Sequence, residues 1–480
     1  MSKSMKWYMH SAIAIAIMFF VRFIPAPDPI TPLGMTVLGI FLGAIYAWCF
    51  VDLVWPSLIA LILLGFTEWT TPTAAWNTLI SNGTVGLCLW LMISVGILRT
   101  SGLINWLAQW SITRSWTKGK PWVLFHVVVL SGAACSAIVG GIATVVLFFA
   151  LVSTICEEVG YKKGDSMAAF FFFAVGFYST IGNMLMPFHT AIIANFGFMA
   201  AGSNGAFDGS FDYVSYVIFA FVTLAAVYIT TFLFFRYVLN PDTSLLKNYD
   251  PEKNKLMKMT KEQKISLTLF AALFLLFMGP SIFPKGTIFF TFCSKLGTVG
   301  SAILIIAIAC LIHIDGKPFT SFKTLVSDNV LWQVLLMFGT AVTISACLNN
   351  PAAGVGLYIK GLLTPLFTGL GVYGFLILFF GIAILLTNLI NNTVVSALML
   401  PVAYGFCMEL GINPVAFTAC FIMFVDYAFL LPSSSPCGAL MHSNSDWLPK
   451  KFLYTYGSIA LIITFAISIL VGWPVANMVF

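Results

Sequence analysis

The recurrence of apolar runs along almost all of the 480 residues constrains this chain more than any other feature. A run of about 20 apolar residues is long enough to cross the ~30 Å hydrocarbon core of a bilayer. The chain is 60% hydrophobic and only 8% charged, a composition that excludes a soluble globular fold. The sequence therefore predicts an all-α polytopic membrane protein with about 11 transmembrane helices.

Two further apolar stretches, 121–156 and 374–410, are too long for one span and carry polar residues at their middles. We interpret each as a re-entrant hairpin that enters and leaves on the same side. With the N-terminus in the cytoplasm, this threading places most of the 23 lysines and arginines on inner loops, as the positive-inside rule requires. The C-terminus then lies outside. The exceptions are Arg22, Arg99, Lys285, Lys295 and Lys360.

The segment 241–264 is the one sustained polar stretch, and it divides the chain into two halves. It is predicted to be a cytoplasmic linker, with a lipid-binding amphipathic helix as the alternative. Each half contains a hairpin followed by a span that proline and small polar residues interrupt. Inverted repeats with broken helices are typical of secondary transporters. The predicted parts are scaffold 1–112, transport part 119–240, linker 241–264, scaffold 265–372 and transport part 373–480.

The middle of the second hairpin, TNLINNTVVSALMLP at 387–401, places amides where no water is expected. An unpaired amide in hydrocarbon costs on the order of several kcal/mol, so these side chains should face protein or a hydrated cavity. Thr387, Asn391 and Asn392 follow helical spacing and can share one face. Amide N–H groups and helix N-termini suit a carboxylate, whereas carbonyl oxygens suit a small cation. The alternative is that these side chains only join helices.

The motifs NNTVVSALMLP at 391–401, SPCGAL at 435–440 and ILRTSGL at 97–103 resemble those of the divalent anion/sodium symporter family. In that family each repeat carries a Ser-Asn-Thr hairpin tip and a Thr-Pro-Pro-Asn-like helix break. The resemblance implies a homodimer that is embedded in the lipid bilayer and binds a small organic anion. It also implies substrate contacts at Asn391, Asn392, Thr393, Ser435 and Pro436, and a cation site at Thr387, Ile390, Asn392 and Ser434.

The first repeat departs from the family pattern. Its tip reads Gly140-Gly141-Ile142, with Ser136 kept one turn earlier as a cation ligand, and its break reads Met186-Pro187-Phe188-His189. Glycines at a helix N-terminus expose backbone N–H groups, so this tip can still bind an anion through its main chain. The imidazole of His189 could replace the missing amide as a hydrogen-bond donor to the substrate. Alternatively, it only forms hydrogen bonds within the helix break. Gly140, Gly141, Pro187 and His189 are the predicted substrate residues of this repeat.

Two charged side chains lie inside predicted spans. Arg99 is costly in lipid and pairs either with the scaffold or with a substrate anion. Asp426 is expected about two turns before Ser434 on the same helix, where an ionised carboxylate is unfavourable. It is therefore a candidate proton carrier, with a helix–helix hydrogen bond as the alternative.

These observations predict a secondary carrier of a di- or tricarboxylate, coupled to Na⁺ or H⁺ by an elevator-type motion that the resemblance supplies. A cation/proton antiporter or an inorganic oxyanion carrier of the same superfamily is the alternative. The chain carries no HExxH or GxSxG motif, so we do not predict an enzyme. The asymmetry between the two hairpin tips argues against the continuous pore of a channel. No cofactor, resident metal or nucleic-acid partner is expected, since the ten cysteines are scattered without a CxxC pair.

Overall fold

The computed structural model describes residues 3–203, 205–253, 256–367 and 369–480, and these residues are almost entirely helical. The linker lysine Lys255 lies outside the described residues. In the described part of the first half there are eleven α-helices. They are α1 Lys3–Phe20, α2 Pro32–Phe50, α3 Val54–Leu64, α4 Pro72–Ser81, α5 Gly83–Thr100, α6 Leu103–Ile112, α7 Pro121–Val139, α8 Gly141–Val159, α9 Ser166–Gly182, α10 Thr190–Ala201 and α11 Tyr213–Phe234.

The residues described in the second half form eleven more α-helices and, between two of them, a short antiparallel pair of strands. The strands are β1 His313–Ile314 and β2 Lys317–Pro318. The helices are α12 Lys261–Ile282, α13 Ile288–Leu311, α14 Phe322–Asn329, α15 Trp332–Leu348, α16 Val355–Phe367, α17 Gly371–Leu389, α18 Asn392–Leu410, α19 Pro414–Asp426, α20 Pro436–Ser443, α21 Lys450–Ile467 and α22 Trp473–Val479.

Eleven helices in the described part of the chain are long and apolar enough to cross a membrane, or twelve if α14 and α15, bent by 72°, form one span. The all-α polytopic fold is therefore confirmed. Four of these helices are the arms of the two hairpins, α7, α8, α17 and α18. Both interrupted spans consist of shorter helices, α9 with α10 and α19 with α20.

Each hairpin is a helix–turn–helix with its turn at the polar middle of the apolar stretch. The first turn is the single residue Gly140, whose φ of 96° is accessible to glycine without strain. At the second turn Ile390 is extended and Asn391 caps α18, accepting a hydrogen bond from Thr393 N at 2.9 Å. The turns therefore fall where the sequence predicts them.

The broken spans lie at the centre of the molecule. Every residue of α9 from Met167 to Gly182 is buried, and so is every residue of α19 from Ala416 to Asp426. A helix that is apolar on all sides belongs in such a position. The halves also interlock, because α10 packs on α18 of the second hairpin while α20 packs on α8 of the first.

The first hairpin packs on α9 through small residues that allow the two backbones to approach closely. At Gly182 an added Cβ would lie only 2.5 Å from the carbonyl oxygen of Ala133 on α7. Gly182 is buried and the atom it would meet belongs to the backbone of a packed helix, so neither side can move away at low cost. This contact fixes the distance between the hairpin and the broken span.

We expect Gly182→Ala to destabilise the protein by about 1–3 kcal/mol through overpacking, measured as a lower Tm of the detergent-purified protein. Gly381→Ala is the matched control, since a Cβ there meets nothing within 4 Å. Its Tm should stay the same or rise slightly. A parental Tm for Gly182→Ala would contradict the close packing.

Candidate functional site

A cavity of about 430 Å³ lies where both hairpin turns and both helix breaks meet. Volumes of this size are typical of small-molecule sites. Residues at the N-termini of four helices, α8, α10, α18 and α20, share its wall. They are Gly140, Gly141, His189, Thr190, Asn392, Ser435 and Pro436.

The second break is held open by Asn388, whose side chain is buried. Its Nδ2 donates to Tyr427 O at 3.0 Å, and its Oδ1 accepts from Phe429 N at 3.3 Å and Leu430 N at 3.0 Å. Thr387 Oγ1, one residue earlier, donates to Val425 O at 2.5 Å. These groups replace the intrahelical bonds that the unwound backbone lacks. One of the three tip amides is therefore structural.

Asp426 is the last residue of α19, and the predicted position two turns inside the helix is wrong. The helix ends earlier because Asn388 takes the amides of Phe429 and Leu430, so the segment 427–435 is not helical. Asp426 Oδ1 accepts from Asn392 Nδ2 at 2.9 Å. The carboxylate therefore stands at the cavity wall, directly against the second hairpin tip.

The first repeat uses an equivalent contact. Ser136 lies four residues before Gly140, the N-cap of α8, as Thr387 lies four residues before Asn391, the N-cap of α18. Ser136 Oγ donates to Ser179 O near the end of α9, as Thr387 Oγ1 donates to Val425 O near the end of α19. The two hairpin-and-break units are thus built alike, and the inverted relation between them stays a prediction.

Three of the four N-termini at the cavity have side-chain caps. His189 Nδ1 accepts from Ala191 N at 3.4 Å, and Ser435 Oγ accepts from Gly438 N at 3.0 Å. Asn391 caps α18, whereas Gly140 leaves the first amides of α8 without a side-chain cap. Each N-terminus carries a partial positive charge and free N–H groups. Four such ends around one cavity favour an anion.

Arg99 contributes the guanidinium of this cavity from α5. Its Nε and Nη2 donate to Val139 O at 3.0 and 2.5 Å, so it also caps the end of α7. Nη2 lies 3.2 Å, and His189 Nε2 3.9 Å, from the point that a Cβ on Gly140 would occupy. Because His189 Nδ1 accepts a hydrogen bond, Nε2 carries the proton and faces the first tip as a donor.

The predicted site residues fall into two groups. Seven line the cavity, namely Gly140, Gly141, His189, Asn392, Asp426, Ser435 and Pro436. The other seven lie outside the lining, namely Ser136, Pro187, Thr387, Ile390, Asn391, Thr393 and Ser434. Their assignment to substrate or cation stays a prediction.

Sequence reasoning missed Asn183, which directly follows α9 and lines the cavity. Its position next to the buried end of a helix in the interrupted span is the only signal that the sequence offers. Thr180 and Cys437 also line the cavity. Among the described residues, no group of three or more His, Cys, Asp or Glu side chains is arranged to hold a metal ion.

Comparison with known proteins identifies the family. The model of a family described as citrate transporter matches residues 11–422. The chain belongs to the citrate transporter family. Membership of this family indicates a transporter and not an enzyme, and the resemblance to the divalent anion/sodium symporters is confirmed.

Individual relatives of this transporter are distant. A sodium-dependent high-affinity dicarboxylate transporter of Caenorhabditis elegans is 22% identical over 278 residues, which are 53% of this chain and 48% of that protein. An uncharacterized transporter of Haemophilus influenzae is 25% identical over 176 residues, 34% of this chain and 38% of that protein. The matches therefore span less than half the length of these relatives.

A solved structure shares the fold. The Alcanivorax borkumensis YdaH transporter, whose topology is described as unusual, superimposes with a TM-score of 0.59 at 15% identity. The superposition covers 85% of this chain and 89% of that one. At this identity the likeness concerns the fold alone.

We expect Asn388→Ala to lower the Tm strongly, because it leaves the carbonyl of Tyr427 and the amides of Phe429 and Leu430 without their partner. Each buried unsatisfied group costs about 1–3 kcal/mol. Asn195→Ala is the matched control, since this equally buried amide of the other broken span donates only to Ala191 O. Equal Tm values for the two variants would contradict the role of Asn388.

Proposed function

We propose that this transporter carries a small organic anion, a di- or tricarboxylate, across the cell membrane. The observation that supports the proposal most directly is the convergence of four helix N-termini on one cavity that also holds Arg99. Positive helix ends and a guanidinium favour carboxylate oxygens over a cation. The name of the nematode relative points to the same class of substrate.

Asp426 can couple the binding of the anion at this site to the binding of a cation. An ionised carboxylate at the wall of an anion cavity repels the substrate, because the two like charges interact strongly in a low-dielectric environment. A proton on Asp426, or a sodium ion close to it, removes that repulsion. Anion binding and cation binding then favour each other by linkage.

The sodium alternative rests on the groups behind the second tip. The hydroxyl of Thr387 donates a hydrogen bond to Val425 O. The lone pairs of Thr387 Oγ1 therefore stay available to a cation. Ile390, Asn392 and Ser434 supply further oxygens next to the unwound backbone, and Ser136 is the equivalent of Thr387 in the first repeat. Oxygen atoms at helix breaks are typical sodium ligands in secondary carriers.

Transport is proposed to follow an elevator motion in a homodimer. The hairpins and broken spans interlock through α8 with α20 and α18 with α10, which favours their movement as one body. The scaffold parts would form the dimer contact, by analogy with the family. A cation/proton antiporter is the second candidate, since Asp426 is an acid at the centre of the molecule.

Uptake into proteoliposomes tests the proposal. We expect accumulation of labelled succinate or citrate, and not of sulfate, when an inward Na⁺ or proton gradient is imposed by itself. The two gradients are applied separately so that the coupling ion is identified. Sodium–proton exchange without any carboxylate uptake would instead support the antiporter.

The variant Asp426→Asn separates the two coupling ions. It keeps the size and the hydrogen bond to Asn392 but does not titrate. If protons drive transport, it should lose the acceleration by a proton gradient and retain exchange of internal for external substrate. Retention of the full proton dependence would assign the proton to another group, while unchanged Na⁺-driven uptake would favour sodium coupling.

A further inference from the structure

The first-repeat side of the cavity contains an amide that the hairpin tip does not provide. Asn183 lies in the break after α9 and is half-buried at the cavity wall. Its Oδ1 accepts from Ser136 Oγ at 2.7 Å. Its Nδ2 lies 3.0 Å from the point that a Cβ on Gly141 would occupy. The side chain therefore occupies space that the glycine leaves free.

The two repeats place an amide at their tips by different routes. Gly141 and Asn392 are equivalent, because each is the first residue of the second hairpin arm. In the second repeat the amide belongs to the tip itself. In the first repeat the tip has no side chain, and the amide of Asn183 reaches the same part of the structure from the break.

The structure turns Oδ1 of Asn183 towards Ser136 Oγ and its NH₂ group towards Gly141. Ser136 Oγ has one proton and lies within hydrogen-bond distance of two oxygens, Ser179 O and Asn183 Oδ1, which share it. Arg99 Nη2 and His189 Nε2 approach the neighbouring Gly140. Three side-chain donors, two from the first break and one from α5, thus lie near the first tip.

The opposite end of the cavity differs in charge. Asp426 and Thr180 are equivalent, since each directly follows the residue whose carbonyl accepts from the hairpin hydroxyl. The acid stands beside Asn392, whereas the equivalent position of the first repeat carries an uncharged hydroxyl, which donates to Gly176 O. A carboxylate is favoured at the first tip, where donors are present and the acid is not.

We propose that Asn183 is a substrate-binding residue that donates a hydrogen bond to one carboxylate of the substrate, and that the first-repeat end is the principal anion subsite. The inference rests on the proposed carboxylate transport and deepens it. The carboxylate would lie over Gly140 and Gly141, between the amide and the guanidinium of Arg99. The remaining part of the substrate would extend towards Asn392 and Ser435.

Kinetics of succinate uptake in proteoliposomes test this assignment. Asn183→Asp has the same shape but replaces the NH₂ donor by an anionic oxygen, and Asn183→Ala removes the amide without adding charge. A hydrogen bond to a charged group is worth about a tenfold or larger change in affinity. We expect KM to rise about tenfold in Asn183→Ala and further in Asn183→Asp, with a smaller change in kcat.

The matched control is Asn195→Ala, which removes an equal amide from the same broken span outside the cavity lining. It should keep the parental KM. The Tm of each purified variant, with and without succinate, reports folding and binding separately from transport. Loss of the succinate-induced rise in Tm is expected for both Asn183 variants at a concentration that stabilises the parent.

The outcomes separate the two proposals. If the parent transports succinate and Asn183→Asp keeps the parental KM, the proposed role of Asn183 is wrong while the proposed function stands. An Asn183→Asp variant with a steeper Na⁺ dependence and parental KM would show that the oxygen of this side chain faces a cation, which also overturns the inference. A parent that neither transports nor is stabilised by succinate, citrate or other carboxylates contradicts the proposed function itself.

Discussion

The rest of the structure depends on the need to hydrogen-bond unwound backbone inside a membrane. Two helices end in the middle of the protein, and each break leaves carbonyl and amide groups without intrahelical hydrogen bonds. The bilayer core contains no water that could replace those bonds. Thr387 and Asn388 supply the missing partners in the second break, and Ser136 does so at the first. The first role of these polar residues at the hairpin tips is therefore to hydrogen-bond the unwound backbone.

Holding the breaks open creates the site. Each break begins a new short helix, and each hairpin turn begins another, so four helix N-termini meet at one cavity. Three of these N-termini are capped by residues of the same breaks and turns, His189, Asn391 and Ser435. The segments that interrupt the spans therefore also stabilise the positive helix ends. An anion site therefore follows from the architecture, while Arg99 and Asp426 give its two ends different charges.

The fold was largely predictable from the sequence. Apolar runs locate the spans, and a polar residue at the middle of an overlong run locates each hairpin turn, because hydrocarbon tolerates neither charges nor free amides. The resemblance to the divalent anion/sodium symporters pointed to Asn392, Ser435 and His189, all of which line the cavity. It did not anticipate the short helices α4 and α16, which have no span-length hydropathy signal.

The remaining features depend on contacts between segments far apart in the chain. Asn388 appeared as one amide among several, and only its bonds to the segment 427–430 show that it is structural. For the same reason Asp426 was placed two turns too deep in its helix. The role of Asn183 depends on the space beside Gly141, which the sequence alone does not reveal.

If four helix N-termini form the anion site, a carboxylate should bind where they meet. Anomalous X-ray scattering from crystals grown with bromosuccinate measures this directly, because the bromine marks the position of the ligand. We expect a bromine peak inside the cavity bordered by Gly141, Asn183 and Asn392. A well-occupied peak elsewhere, with the cavity free of ligand density in crystals of a protein that transports succinate, would contradict it.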